Sequence, residues 1–283
     1  MHEERRVFGS PAPPATRDVA ARGARIRFVD AGEGPPLVLL HDYLASHLTW
    51  EDVVPPLSRH FRVLAPDLPG FGESEKPAPS RYRYDLEAFS ESLIDLLAAV
   101  GLARVSLCGH GLGGAIALTL AASHPHFVDR LVLVSPLVYP QRPDLASRVV
   151  QMPVVGQLLF KQLYGRALFR RRFAARATSA ARRVDHLFEL FDSPAGREAA
   201  YAALGAILDT RSVRASLPRV TVPTLVLWGR GHPASPVEQG RRLARELAGA
   251  RLEVFDCGPS PAEECPDAFA AVVSGFLAEG PRG

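Results

Sequence analysis

The hydrophobic pattern of this chain switches between two periods, and that switch predicts an α/β fold: a mostly parallel sheet flanked by helices, with an inserted helical cap. Short continuous apolar runs at residues 37–40, 62–65, 105–107 and 131–134 suit strands buried on both faces. Helical patterns lie between them, with Leu86, Phe89, Leu93 and Leu97 on one face and Leu112, Ile116 and Leu120 on another. Strand and helix alternating in this way require parallel pairing through crossovers. A stretch of purely helical sequence at residues 140–219 interrupts the rhythm.

Taken in order, residues 1–22 are polar, carry Pro11, Pro13 and Pro14 and show no period, so a disordered tail is predicted. Residues 24–30 alternate as a strand, 31–36 form a Gly- and Pro-rich turn, and the first buried strand follows. After the interruption the alternation resumes with a strand at 224–227, a helix at about 238–247 and a strand at 252–255. A last helix turns Phe269, Val272, Val273 and Phe276 inward. The predicted organisation is a core of 23–139 and 220–283 with a cap at 140–219, the cap containing helical sequence at 154–173 and 199–208.

With 283 residues and 47% hydrophobic content, one large core is expected. A net charge of +3 is too small to argue for nucleic acid. Cys108, Cys257 and Cys265 have neither metal-like nor disulfide-framework spacing, so each is expected to be a small core residue in a reducing compartment. No signal-like or membrane-spanning run occurs, which predicts a soluble, cytoplasmic protein. Charge is distributed unevenly: the cap carries fourteen Lys and Arg against six Asp and Glu, a balance of +8, while the rest of the chain carries −5. Such a cap fits either peripheral contact with a membrane or anionic molecules, or the solvated outer face of helices that cover the core.

Landmarks occur in a recognisable sequence. Leu37-Val38-Leu39-Leu40-His41 ends a strand, Trp50 follows, and then comes Asp67-Leu68-Pro69-Gly70-Phe71-Gly72-Glu73-Ser74. Next are Gly109-His110-Gly111-Leu112-Gly113-Gly114, Pro223-Thr224-Leu225-Val226-Leu227-Trp228-Gly229, and finally Gly258 with Glu264 and Pro266. From about residue 23 to 278 the chain resembles the α/β-hydrolase fold family, in its capped esterase, dehalogenase and epoxide-hydrolase branch.

The resemblance implies a nucleophile at the centre of a strained strand-to-helix turn, a histidine that takes its proton, and a carboxylate that orients the histidine. Those positions map to Gly111, Pro259 and His232, so all three residue types are replaced. Glycine also adopts the positive-φ backbone of such a turn without the strain, roughly 1–3 kcal/mol, that another residue pays. The oxyanion loop, usually His-Gly in the family, reads His41-Asp42. The resemblance places backbone donors at Tyr43 and Leu112, and Asp42 puts a carboxylate close to them.

Two functions are compatible with this reading. The first is a pseudoenzyme that binds a small apolar ligand or a partner in a pocket formed by Asp42, Tyr43, His110, Gly111, Leu112 and His232. The second is a non-hydrolytic lyase, isomerase or cyclase using His232 and Asp42 as relocated acid–base groups, with Glu263 near the old base loop. Against these roles, His232 reads first as a pocket-wall residue, His110 as an ordinary occupant of its position, and His41 as a buried structural histidine. A metal held by His41, Asp42, His110 and His232 lacks any short spacing signal, so neither metal nor cofactor is expected. Glu73 and Ser74 read as turn residues, and Ser106, Ser123 and Ser135 as lying off any elbow. The oligomeric state is not encoded in any of these features.

Overall fold

The computed structural model describes residues 14–140, 156, 160, 165–173 and 180–279. Eight strands form one sheet: β1 Ala15–Ala21, β2 Ala24–Ala31, β3 Pro36–Leu40, β4 Arg62–Pro66, β5 Val105–His110, β6 Val128–Val134, β7 Thr224–Gly229 and β8 Arg251–Phe255. Their order is β1-β2-β4-β3-β5-β6-β7-β8. The strands are parallel from β4 through β8, whereas β1 and β2 pair antiparallel with their neighbours. The runs chosen for two-sided burial behave accordingly: every residue of β5 and β7 is buried.

Residues 15–21 correct the expectation of a tail reaching residue 22. They form β1, paired with β2 from Ala15 opposite Asp30 to Ala21 opposite Ala24, through a tight turn in which Arg22 and Gly23 both have positive φ. This edge strand is exposed along most of its length, so no buried face left an apolar period in its sequence. Residues 1–13 lie outside the described residues.

Helices cover both faces: α1 Val54–Leu57, α2 Leu86–Ala99 and α3 Leu112–Ser123 before the cap. One apolar layer joins β3–β6 side chains to α2 and α3 through Phe89, Leu93, Leu97, Ile116 and Leu120. The opposite layer joins Leu37, Leu39, Val132 and Val134 to Trp50, Phe269, Val273 and Phe276. Each fully buried Leu or Phe in these layers contributes roughly 1.5–3 kcal/mol.

Within residues 140–219 all described regular structure is helical: α4 Arg166–Phe173, α5 Ala180–Phe191, α6 Pro194–Leu208, α7 Arg211–Ser216 and a short 3-10 turn at Leu217–Arg219. The helix expected at 199–208 belongs to α6, whose Ser193 hydroxyl caps the Gly196 amide at 3.0 Å with Pro194 in the first turn. Of the segment 154–173, only Gly156, Phe160 and residues 165–173 are described. Phe169 stacks on Phe191 at 5.4 Å and meets Phe188 edge-on at 5.4 Å, which gives the cap its own aromatic centre. After the cap, α8 Val237–Glu246, α9 Pro261–Glu264 and α10 Pro266–Ala278 complete the fold.

One arginine straps the cap to the core. Arg183 of α5, 12% exposed, reaches Asp52 Oδ2 at 2.5 Å, Glu51 Oε2 at 3.3 Å and the Leu48 carbonyl at 3.4 Å. The guanidinium is largely covered while Asp52 and Glu51 stay exposed, so solvent screens the pairs as it does surface bridges. Arg183→Ala is expected to cost about 0.5–1 kcal/mol and to speed amide exchange in α5 more than in β5, measured by hydrogen–deuterium exchange.

Candidate active site at the strand ends

The carboxyl ends of the central parallel strands are where an open α/β sheet presents its loops to a ligand. β5 ends at His110, Gly111 turns with φ 52° and ψ −111°, and Leu112 opens the twelve-residue α3. The expected positive φ is therefore present. Nothing at Gly111 can cap the helix, yet the first turn is capped from seventy residues away: the Leu112 N–H donates to Asp42 Oδ1 at 2.9 Å. A negative carboxylate suits a helix N-terminus.

This contact defines the site. A Cβ added at Gly111 would fall inside van der Waals contact of Asp42 Oδ1 and Cγ, and 2.9 Å from Oδ2. The Asp42 carboxylate thus occupies the volume in which a side chain of residue 111 would stand. It also takes the Leu112 amide, one of the two backbone donors mapped to an oxyanion. Asp42 itself is half-buried, between buried His41 and Tyr43.

Neighbouring groups hold the Asp42 loop in place. The fully buried His41 donates through Nδ1 to the Asp42 carbonyl at 2.7 Å and accepts at Nε2 from the Leu68 amide at 2.9 Å. Both ring nitrogens are thereby used, which makes His41 structural, and burial holds its pKa below the ordinary histidine value. Tyr43 turns away from the elbow: its hydroxyl donates to the Ala200 carbonyl of α6 at 2.8 Å, and its ring meets Phe71 edge-on. Leu44 and Ser135, at the rim of the same strand ends, both have positive φ. Ser135, expected to lie off any elbow, sits on a strained buried turn directly after β6, its amide donating to Leu227 O.

Asp67 supports the rim from below. Fully buried, it accepts from the His47 amide at 2.6 Å, from His47 Nδ1 at 2.9 Å and from the Glu73 amide at 2.7 Å. Gly72, with φ 51°, leaves the space its carboxylate fills. Ser74 donates to the Asp67 carbonyl at 2.7 Å, and Glu73 pairs with Arg27, so both residues are turn structure as expected. Burial opposes both charges of the pair, but mutual attraction prevails: His47 lies above its ordinary pKa and Asp67 below its own.

Stability from His47 is fully present below its unfolded pKa, about 6.5, and is lost as pH rises through the higher folded value. Stability from Asp67 is present above about pH 3.9 and is lost as pH falls through its folded value. His41, depressed by burial, works in the opposite sense to His47. The difference in urea midpoint between the wild type and His47→Gln is therefore expected to be largest between about pH 4 and 6.5 and to shrink toward pH 9.

Two further loops bring the remaining expected residues to this end of the sheet. His232 follows β7, and its Nδ1 accepts from the Ser235 amide at 3.1 Å and the Ala234 amide at 3.3 Å, closing its own turn as an aspartate would. An imidazole accepting at Nδ1 carries its proton on Nε2, so its basic nitrogen is engaged by the backbone. Pro259 follows β8 and has no ionisable group. Its loop is cinched by Glu264, which accepts from the Gly258 amide at 2.7 Å and the Ser260 amide at 2.9 Å. The loops meet where the Gly231 amide donates to the Cys257 carbonyl at 2.9 Å. His110 is buried within the β5 end.

The structure therefore gathers Asp42, Gly111 and Leu112 into direct contact, sets His110 beside them, turns the Tyr43 side chain toward the cap, and seats His232 and Pro259 on adjacent loops. A glycine elbow between a parallel strand and a helix, with acid- and base-type loops after β7 and β8, is the architecture of the α/β hydrolases. The family model for the alpha/beta hydrolase fold matches residues 35–264, and the chain belongs to this family. A 2-hydroxymuconate semialdehyde hydrolase from a Pseudomonas species is 30% identical over 283 residues, covering 95% of each protein. A 2-hydroxy-6-oxo-2,4-heptadienoate hydrolase from Pseudomonas putida is 33% identical over 274 residues, covering 93% of this chain and 96% of that protein. Among solved structures, the enol-lactonase from Burkholderia xenovorans aligns with a TM-score of 0.79 at 26% identity over 93% of this chain and all of that one. No helix among the described residues is long and apolar enough to cross a membrane.

Proposed function

We propose that this chain is a non-hydrolytic member of the family, a pseudoenzyme that uses the hydrolase framework to bind a small apolar ligand under its cap. One observation carries the reading: the Asp42 carboxylate stands in the volume of the residue-111 side chain and takes the Leu112 amide. A tetrahedral oxyanion needs that amide, and a carboxylate already bonded to it both blocks and repels the developing charge. Gly111 offers no nucleophile and Pro259 no base, so neither the covalent nor the acid–base half of hydrolysis is supplied at the matched positions. On this reading the relatives named as hydrolases share the framework with this chain, and the chemistry at the matched positions differs.

Apolar side chains beneath the cap favour the ligand class. Leu44, Phe71, Leu187, Phe191 and Ala200, with Lys76 as the one charged side chain, line a cavity of about 10 Å³, room for one water. A ligand of ordinary size requires the cap to move outward, against the Arg183 strap and the Tyr43–Ala200 bond. The basic cap is read as a solvated face: Arg166 and Arg170 pair with Asp185, and Arg183 pairs with Asp52 and Glu51, so these cations are already answered within the protein.

Acid–base chemistry on a bound molecule is the second reading, and the half-buried Asp42 carboxylate is the observation that favours it. His232 is a weaker participant because the turn uses its Nδ1. The two readings separate in one pair of experiments. A panel of acyl esters and dienoate ketones is expected to be turned over no faster than buffer, while apolar members of a small-molecule panel raise Tm in a concentration-dependent way. Ester turnover that survives purification and is lost on Asp42→Asn would overturn the ligand-binding reading.

A further inference from the structure

Lys76 stands on the wall of the cavity beneath the cap, where Phe71, Gly72 and Lys76 of the core meet Leu187, Phe191 and Ala200 of the cap. Its ammonium donates to the Gly72 carbonyl at 2.7 Å and to the Ser74 carbonyl at 3.2 Å. An ammonium carries three donors and no acceptor, so these bonds leave one N–H over. No carboxylate among the described residues lies within ion-pair distance of it. The two acids whose fields reach it are engaged elsewhere: Asp67 with His47 at 2.9 Å and Glu73 with Arg27 at 2.7 Å. Arg170 and Arg183 of the cap, by contrast, each meet a carboxylate directly.

A half-buried cation is costly unless a counter-charge answers it. Burial accordingly pulls the Lys76 ammonium below the ordinary lysine value, against the attraction of Asp67 and Glu73. Both carbonyls that hold it belong to the core turn, so outward movement of the cap uncovers Lys76 without displacing it.

We propose, resting on the reading of this cavity as the ligand site, that the ligand is an apolar-tailed monocarboxylate whose carboxylate pairs with Lys76. One spare N–H and one positive charge match a carboxylate, whereas the doubly charged, three-oxygen head of a phosphate asks for more donors than a lone ammonium offers. The remaining wall is apolar and suits a hydrocarbon tail. Shelter from water strengthens the charge-assisted bond at the head.

The test titrates sodium octanoate and octanol into the full-length protein carrying isotope-labelled lysine, followed by nuclear magnetic resonance of the lysine side chains. The chain has two lysines, Lys76 and Lys161, and Lys161→Arg assigns their signals. Octanoate is expected to bind about tenfold more tightly than octanol and to shift the Lys76 signal, which octanol moves little. In Lys76→Met, octanoate affinity should fall about tenfold while octanol affinity stays within about twofold. Lys76 also braces its turn, and the wild-type spectra decide the matter even where Lys76→Met fails to fold. Equal affinities with an unmoved Lys76 signal would overturn the role of Lys76 and leave apolar binding beneath the cap in place. Tighter octanoate binding with that signal unmoved would put the anion on another cation and sink the proposal. Binding of neither compound would remove the ligand-binding reading and the Lys76 anchor together.

Discussion

Gly111→Ser is expected to destabilise the protein by about 2–5 kcal/mol and to restore no ester hydrolysis. Two costs add. Serine at φ 52° is held in a backbone region that glycine occupies freely, a strain of roughly 1–3 kcal/mol. Its Cβ also intrudes on the Asp42 carboxylate, and relief by displacing Asp42 leaves the Leu112 amide without its acceptor, so overpacking adds about 1–3 kcal/mol. The two sites share a contact and should not behave additively. Adding Asp42→Gly to Gly111→Ser is therefore expected to recover stability relative to Gly111→Ser alone, measured as a rise in the urea midpoint at unchanged m. A further fall in the midpoint would mean that Asp42 and residue 111 do not compete for one space. Rebuilding the hydrolytic site then requires four changes, Gly111→Ser, Asp42→Gly, His232→Asp and Pro259→His, one more than the three replaced positions suggest.

Asp67→Ala is expected to be as damaging, at about 3–5 kcal/mol, although the residue lies outside the elbow. Its carboxylate is fully buried and answers two amides and one imidazole. Alanine leaves the His47 and Glu73 amides without their acceptor in a part-buried turn, at roughly 1–3 kcal/mol each. Asp67→Asn keeps an acceptor but loses the attraction for His47, so about half the effect is expected, and its pH dependence between about pH 4 and 6.5 should flatten. Chemical denaturation of both variants at pH 5.5 and 8.5 checks the prediction. Equal losses for alanine and asparagine would show that charge, rather than hydrogen-bond satisfaction, governs the turn.

Strands buried on both faces were legible because burial wrote continuous apolar runs at 37–40, 131–134 and 224–227. β1 was not legible, since an edge strand with Arg17 and Asp18 in the open carries no apolar alternation. The glycine elbow and its positive φ could be inferred from the spacing around Gly111. That Asp42 would sit close to the oxyanion donors was also readable from His41-Asp42. Its exact role as cap and space-filler was not, because the Asp42–Leu112 contact joins residues seventy positions apart through the pairing of β3 with β5. The sequence puts His232 after the strand at 224–227, but the two amides that bind its Nδ1 depend on the turn at residues 232–235. Ser135 gave no local signal either: its positive φ arises where β6 ends against β7.

If Asp42 stands in for the side chain of residue 111, as proposed, serine hydrolysis is gone from this site. Intact-mass analysis after incubation with a fluorophosphonate tests this most directly, because the reagent marks an activated serine wherever it lies. An unchanged mass is expected for the wild type, even at reagent excess and long exposure. Stoichiometric addition mapping to Ser135, Ser260 or any other serine, and lost on unfolding, would contradict it.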